Sequence, residues 1–177
     1  MNLPLITIRE AHISDAAGIA RVHVDTWRSA YAGIVPADYL AALSYEKMVK
    51  KRIESLEKPW PDAKTFVADA GDAGGIVGFA VGGHERNGHP VFKGELFAIY
   101  VSETYQNRGI GRQLVVEIVK HLRTLGLSSM LTWALADNPY SRFYEKLGGK
   151  RVSEKWEETG GKMLEEIAFG WRDLSVF

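Results

Sequence analysis

The chain has 177 residues, with 22 Lys+Arg against 22 Asp+Glu, so its formal charge is zero and its balance carries no signature of a nucleic-acid partner. It contains no cysteine, which excludes a disulfide framework, a thiolate zinc site and a Cys nucleophile. Since 46% of the residues are hydrophobic, a sizeable core is within reach, and residues 1–177 are expected to form a single domain; with no signal-peptide pattern and no run of membrane-span length, a cytoplasmic location without a membrane partner is the expectation.

Leu5-Ile6-Thr7-Ile8-Arg9 alternates and predicts the first strand. Ser14 and Asp15 offer caps for a helix running to about Tyr31, with Ile19, Val22, His23, Thr26, Trp27 and Tyr31 recurring along one side. Pro36 opens a short helix over 37–43, and 45–56 continues helically until Lys58-Pro59-Trp60-Pro61 ends it. Strands follow at 65–70 and 76–81 across a Gly-rich turn. Asn87-Gly88 is a hairpin signal leading into a strand that begins at Val91 or Lys93 and ends at Val101. The next helix shows its core stripe in Ile110, Leu114, Val115, Ile118, Val119 and Leu122, with Arg112, Glu117, Lys120 and Arg123 between them. After a strand at 130–135, Asp137 or Asn138 can cap a helix that Pro139 starts and Gly148 ends. Residues 151–156 and 163–171 read as a terminal hairpin across Thr159-Gly160-Gly161. The order is β-α-α-β-β-β-α-β-α-β-β. The strands before and after the helix with the Ile110 to Leu122 stripe are joined by a crossover and are expected to be parallel, the rest antiparallel, giving an α/β domain with a mixed sheet.

The chemistry concentrates at Gln106-Asn107-Arg108-Gly109-Ile110-Gly111-Arg112, between a strand and a helix. The first turn of a helix has N–H groups without internal partners and a partial positive charge, and glycines let an anion approach the backbone. This loop reads as a phosphate cradle. A Walker loop is excluded because Gly111 is followed by Arg112-Gln113 rather than Lys-Ser/Thr, and a dinucleotide fingerprint is excluded because Leu114 stands at its third glycine position. What remains, Gln-x-x-Gly-x-Gly after a strand, resembles the coenzyme A pyrophosphate loop of the GNAT superfamily of N-acetyltransferases. About thirty residues on, Asn138, Ser141, Phe143, Tyr144 and Gly148 match the second pattern of that family. The stretch from Asp25 to Pro36 is also familiar from bacterial GNAT proteins of unassigned substrate.

The resemblance implies a single-domain GNAT fold in which the two central parallel strands splay and admit the pantetheine arm of the cofactor. It implies acetyl-CoA as co-substrate, with no metal, held by Gln106 to Arg112, by backbone groups of Ile99, Tyr100 and Val101, and by Asn138, Ser141 and Tyr144. Tyr144 is expected to return a proton to the leaving thiolate. Glu95 lies six residues before Val101, the spacing of the catalytic glutamate in the histone acetyltransferase branch, and is the expected base. An unbroken strand would put Glu95, Phe97, Ile99 and Val101 on one face; a bulge would break that alternation. Trp27 and Tyr31 are expected on the acceptor side, where a primary amine of a small molecule or peptide would bind. With no Cys to carry the acetyl group, transfer is expected to be direct, in a ternary complex. The rival readings are a GNAT-fold module that binds acyl-CoA without turnover and a nucleotide-binding protein. A homodimer fits the family. His84 and His89 match no metal spacing, His121 is expected on the solvent side of its helix, and His23 is expected to pack in the core.

Overall fold

In a computed structural model, which describes residues 5–177, the predicted strands join one seven-stranded sheet. The strands are Thr7–Glu10 (β1), Lys64–Asp69 (β2), Ile76–His84 (β3), Gly94–Val101 (β4), Met130–Leu135 (β5), Lys150–Thr159 (β6) and Lys162–Trp171 (β7). Their spatial order is β1-β2-β3-β4-β5-β7-β6. All neighbouring pairs are antiparallel except β4–β5, which is parallel because a crossover helix, Ile110–Thr124 (α4), joins the two. Three helices, Ala16–Ala30 (α1), Ala37–Ala42 (α2) and Tyr45–Glu57 (α3), precede β2, and Arg142–Lys146 (α5) follows β5. The predicted order has two helices before β2. A third arises because Leu43 leaves the helical region (φ −60°, ψ 120°) and the Ser44 side chain then caps α3 by accepting the Lys47 N–H.

The apolar stripe of α4 is buried as predicted, all six side chains packing on one face of the sheet with Met130, Tyr144, Phe169 and Trp171. Each contributes about 1.5–3 kcal/mol as an upper estimate. The opposite face is covered by α1, through Ile19 and Val22 on Val67 and Phe79, and by a third cluster of Tyr31, Val35, Leu40, Leu135 and Leu164. Among the described residues no helix is long and apolar enough to cross a membrane.

Three local expectations are corrected. Asn87-Gly88 sits in a loop of residues 85–93 instead of a two-residue turn, because the Glu85 carboxylate takes the N–H groups of Asn87 and His89 (3.0 and 2.6 Å) and organises the wider loop. His121 is buried, not on the solvent side: its Nε2–H donates to the Asp62 carbonyl at 2.6 Å, in a loop folded over α4. Helix α5 begins only at Arg142, after Ser141, because Asn138 forms a turn of its own, its Oδ1 accepting the Tyr140 N–H at 2.9 Å and its carbonyl accepting from Ser141.

At the centre of the sheet β4 and β5 pair only at Gly94–Met130 and Glu95–Leu131 and then part. Where the ladder stops, the Thr132 hydroxyl donates to the Leu96 carbonyl at 2.9 Å. A bulge in β4 falls at the same level: Gly82 pairs with Leu96 and Val81 with Ala98, leaving Phe97 unmatched. The bulge inverts the alternation. Leu96, Ile99 and Val101 face α4, whereas Ala98 and Tyr100 face α1, with Glu95 on their side through its pairing with Gly83. Glu95 therefore does not share a face with Ile99 and Val101.

At the sheet edge, Arg9 bridges Asp15 (2.7 and 2.9 Å) and Asp69 (2.8 and 3.1 Å). Hydrogen bonds from Arg9 hold both carboxyls below the usual aspartate value. Their folded pKa values lie below the unfolded value of about 3.9, so the stabilisation is present above that pH and is lost as pH falls through the folded values. Asp15→Asn is expected to cost about 1–3 kcal/mol at pH 7, and the gap to wild type to close as the pH approaches about 2. Urea unfolding at several pH values checks this; a gap that stays constant with pH would assign the cost to packing.

Candidate active site

The parting strands open a cleft of about 510 Å³ that passes through the sheet. Its lining comes from both faces. Gly109, Ile110, Gly111 and Arg112 from α4, with Asn138, Phe143, Tyr144 and Leu147 around α5, line one side; Thr26, Ala30 and Tyr31 from α1 line the other. Ile99, Tyr100 and Val101 of β4 form one wall of the gap and Thr132, Trp133 and Ala134 of β5 the other.

The loop before α4 is concave because two of its residues are left-handed, Asn107 (φ 58°) and Gly109 (φ 78°), the latter standing directly at the helix start. The two glycines have different roles. Gly109 supplies the dihedral, whereas a Cβ on Gly111 would lie 3.0 Å from the Phe143 ring, so Gly111 lets α4 pack on α5. Gln106 and Asn107 line the cleft, and the Gln106 amide donates to the Val101 carbonyl at 3.0 Å, tying the loop to the end of β4. Of the two arginines expected here, only Arg112 lines the cleft. Arg108 lies over the Tyr105 ring and donates to the Thr104 carbonyl. Lys146, Tyr105 and Tyr140 also line the cleft and were not legible as site residues, since no motif position singles them out.

Tyr144 is buried, stacked on Phe169 with ring centroids 5.2 Å apart, and lines the cleft together with Thr132. Burial raises its pKa well above the ordinary tyrosine value, so the phenol keeps its proton at neutral pH. Ser141 is not in the lining; its hydroxyl donates to the Asn138 carbonyl and shapes the turn. On the opposite side Tyr31 is buried, and its pKa is likewise raised by burial. Trp27 is one layer behind the lining, its indole N–H donating to the Tyr100 hydroxyl at 3.0 Å. His23 packs as expected: it stacks on Trp27 (5.6 Å, 9°) and on Phe79 (6.2 Å, 16°), and burial lowers its pKa to about 3.

Glu95 is not brought into the lining. It is 1% exposed and its oxygens are taken by Arg86, through Nη2 (2.5 Å), Nε (3.0 Å) and the backbone N–H (3.2 Å). Arg86 in turn lies 4.2 Å over the ring of Phe97, a lining residue. Three donors take three of the roughly four lone-pair sites of the carboxylate, and the residue lies outside the cleft lining.

Residues 27–149 match the sequence model of the acetyltransferase (GNAT) family. The uncharacterized N-acetyltransferase YuaI of Bacillus subtilis (strain 168) is 39% identical, over 97% of this chain and 96% of its own. A mycothiol acetyltransferase of Pseudarthrobacter chlorophenolicus is 36% identical over 54% of this chain and 30% of its own length. The fold is also that of the Thermoplasma acidophilum PaiA N-acetyltransferase solved with coenzyme A, at a TM-score of 0.67, 24% identity and coverage of 92% and 98%. YncA of Salmonella typhimurium, a putative acetyltransferase solved with acetyl-CoA, superposes with a TM-score of 0.68 at 18% identity, covering 96% and 94%. With a family match over most of its length and a full-length relative, the chain belongs to the GNAT family of N-acetyltransferases, enzymes of the acyltransferase class.

The clamp on Glu95 has a measurable consequence. Glu95→Gln is expected to lower stability by about 1–3 kcal/mol, because a buried charge-assisted bond is lost while partly exposed Arg86 is resolvated. Thermal or urea unfolding reads this directly. Unchanged stability together with a large fall in turnover would instead make Glu95 a group that works on substrate.

Proposed function

We propose that residues 1–177 act as one acetyltransferase domain that binds acetyl-CoA in the cleft and passes the acetyl group directly to a primary amine of a small molecule or peptide, in a ternary complex. The observation that carries this reading is the gap between β4 and β5, with lining from both faces and Tyr144 beside it. The residues present fit the cofactor. Left-handed Asn107 and Gly109 aim the loop at the free N–H groups of α4, a site for the pyrophosphate, and Arg112 and Lys146 add positive charge. Strand β4 beyond its last pairing with β5 offers main-chain groups to the amides of the pantetheine arm, much as to an added strand. With Gln106 already on the Val101 carbonyl, Ile99 is the less committed partner.

When bound, acetyl-CoA supplies an activated thioester. The main-chain N–H of Ile99 or Tyr100 is assigned to the carbonyl oxygen as charge develops on it. Tyr144, buried and protonated, is assigned the proton for the departing sulfur. Asn138 and Ser141 hold the turn that sets α5, and so Tyr144, at the gap. Glu95 enters as the anchor of Arg86 and Phe97, and the amine loses its proton to water. Release of free thiol from acetyl-CoA with a panel of amines tests the reading; binding without release under any amine would leave only an acyl-CoA-binding module.

Arg112→Ala is expected to weaken coenzyme A about tenfold at low salt and progressively less at high salt, while Arg108→Ala changes affinity by no more than a few-fold. Calorimetric titrations at two ionic strengths decide; equal losses from both would place Arg108 on the phosphates as well. Tyr144→Phe removes one oxygen and keeps the packing. We expect kcat to fall about 10²- to 10⁴-fold with the coenzyme A dissociation constant within a few-fold of wild type. More than about half of the wild-type rate, with chemistry limiting, would give the proton to water, and a parallel collapse of binding would make Tyr144 a cofactor ligand.

A further inference from the structure

The acceptor side carries hydroxyl groups that the transfer chemistry does not use. The Trp27 indole N–H donates to the Tyr100 hydroxyl at 3.0 Å, and an indole N–H is donor only, so the direction is fixed. The Tyr31 ring packs edge-on against Trp27 at 4.9 Å in the same layer, and burial raises both phenol pKa values, so Tyr31 and Tyr100 each carry an O–H at neutral pH. Among the described residues neither proton has a protein acceptor at hydrogen-bond distance, yet both tyrosines line the cleft, so the partner is whatever occupies it. A charged amine is donor only, and a neutral amine must keep its lone pair for attack, so the missing partner is an oxygen elsewhere on the acceptor.

The charge behind these hydroxyls indicates which oxygen. Arg52 on α3 is tucked under the same aromatic layer, its guanidinium 5.0 Å from the Phe79 centroid and its Nη2 donating to His23 Nδ1 at 2.6 Å. Its Nε is buried without a partner, and among the described residues no carboxylate pairs with it. Neutral His23, whose ring lies 5.1 Å from that of Tyr100, accepts its hydrogen bond without cancelling its charge. Glu166 faces the same hydroxyls but is paired with Lys155 at 3.2 Å, and Arg86 is matched by Glu95. The uncompensated charge next to these hydroxyls is thus positive.

Resting on the acetyl-transfer reading above, we infer that the Tyr31–Tyr100 hydroxyl pair, anchored by Trp27 and backed by Arg52, selects acceptors that carry a carboxylate close to the amine, the amino-acid class. The pair presents its O–H groups to the carboxylate, which leaves the amine free to face the gap beside Tyr144. Tyr100 has this role through its side chain, distinct from any main-chain contact to the cofactor.

The test compares amino acids with their decarboxylated amines: alanine with ethylamine, leucine with isoamylamine, phenylalanine with phenethylamine, lysine with cadaverine. Rates are referred to the unprotonated amine. Wild type is expected to prefer the carboxylate member of at least one pair by about 10- to 100-fold in kcat/KM. Tyr100→Phe should reduce that preference to within a few-fold and leave coenzyme A affinity unchanged. Tyr31→Phe should keep most of it, since Tyr100 still has its own proton to offer. Should Tyr100→Phe fail to fold, Trp27→Phe, which removes the anchor, is expected to lower the preference several-fold. Equal or better turnover of the plain amine in every pair, or an equal loss on both members in Tyr100→Phe, overturns the selection while leaving acetyl transfer standing. Coenzyme A binding with no amine acetylated at all overturns both.

Discussion

The structure depends on an interruption. β4 and β5 make two pairings and then separate, although both strands continue for several residues. Leaving backbone donors and acceptors without partners in the middle of a sheet is costly, and the protein contains the cost at the point of departure. The Thr132 hydroxyl takes the Leu96 carbonyl, the bulge at Phe97 turns β4, and the Gln106 amide takes the Val101 carbonyl at the far end. Between these fixed points lies a stretch of β4 main chain that β5 no longer pairs. Apolar burial on both sides keeps the strands from closing: the α4 stripe packs against one face and α1 against the other, so the sheet cannot shift to recover the lost ladder without giving up those contacts.

The bulge divides the labour between the two faces. Ile99 and Val101 face the helix whose N-terminus bears the anion cradle, and Tyr100 faces the aromatic layer of α1 and α3. Consecutive residues of one strand thereby line the cleft from opposite faces of the sheet. The three tyrosines at the crossing, Tyr31, Tyr100 and Tyr144, are each held in the protonated form by burial, so each is available as a donor and none as a base. Neutral tyrosine donors, with Arg52 behind Tyr100 and unpaired with any carboxylate among the described residues, put hydrogen bonds and positive field on this side of the cleft without a strong base.

Glu95 illustrates how spacing and geometry diverge. Its distance from Val101 is that of a catalytic glutamate, and the bulge does put it on the acceptor face. What fixes its carboxylate is Arg86, nine positions earlier, in a loop that no periodicity describes. Arg108 is a similar case. It sits in the middle of the Gly-rich loop by sequence, but with Asn107 and Gly109 left-handed its side chain lies over Tyr105. In both, a neighbour outside the motif determines which way a side chain points.

By itself the sequence determined the elements and the two segments that meet at the α4 end of the cleft. The α4 stripe, the strand-Gly-rich turn-helix junction and the Asn138 to Gly148 segment are local patterns, and local patterns are set by residue spacing and backbone dihedral preference. Tertiary structure alone decided where β4 and β5 part, that β7 and not β6 lies beside β5, that His121 is covered by the loop at Asp62, and that Trp27, Tyr31, Tyr100 and Arg52 meet in one layer. These contacts join residues far apart in the chain, and their partners are selected by how whole faces pack, a quantity that no single window of sequence contains.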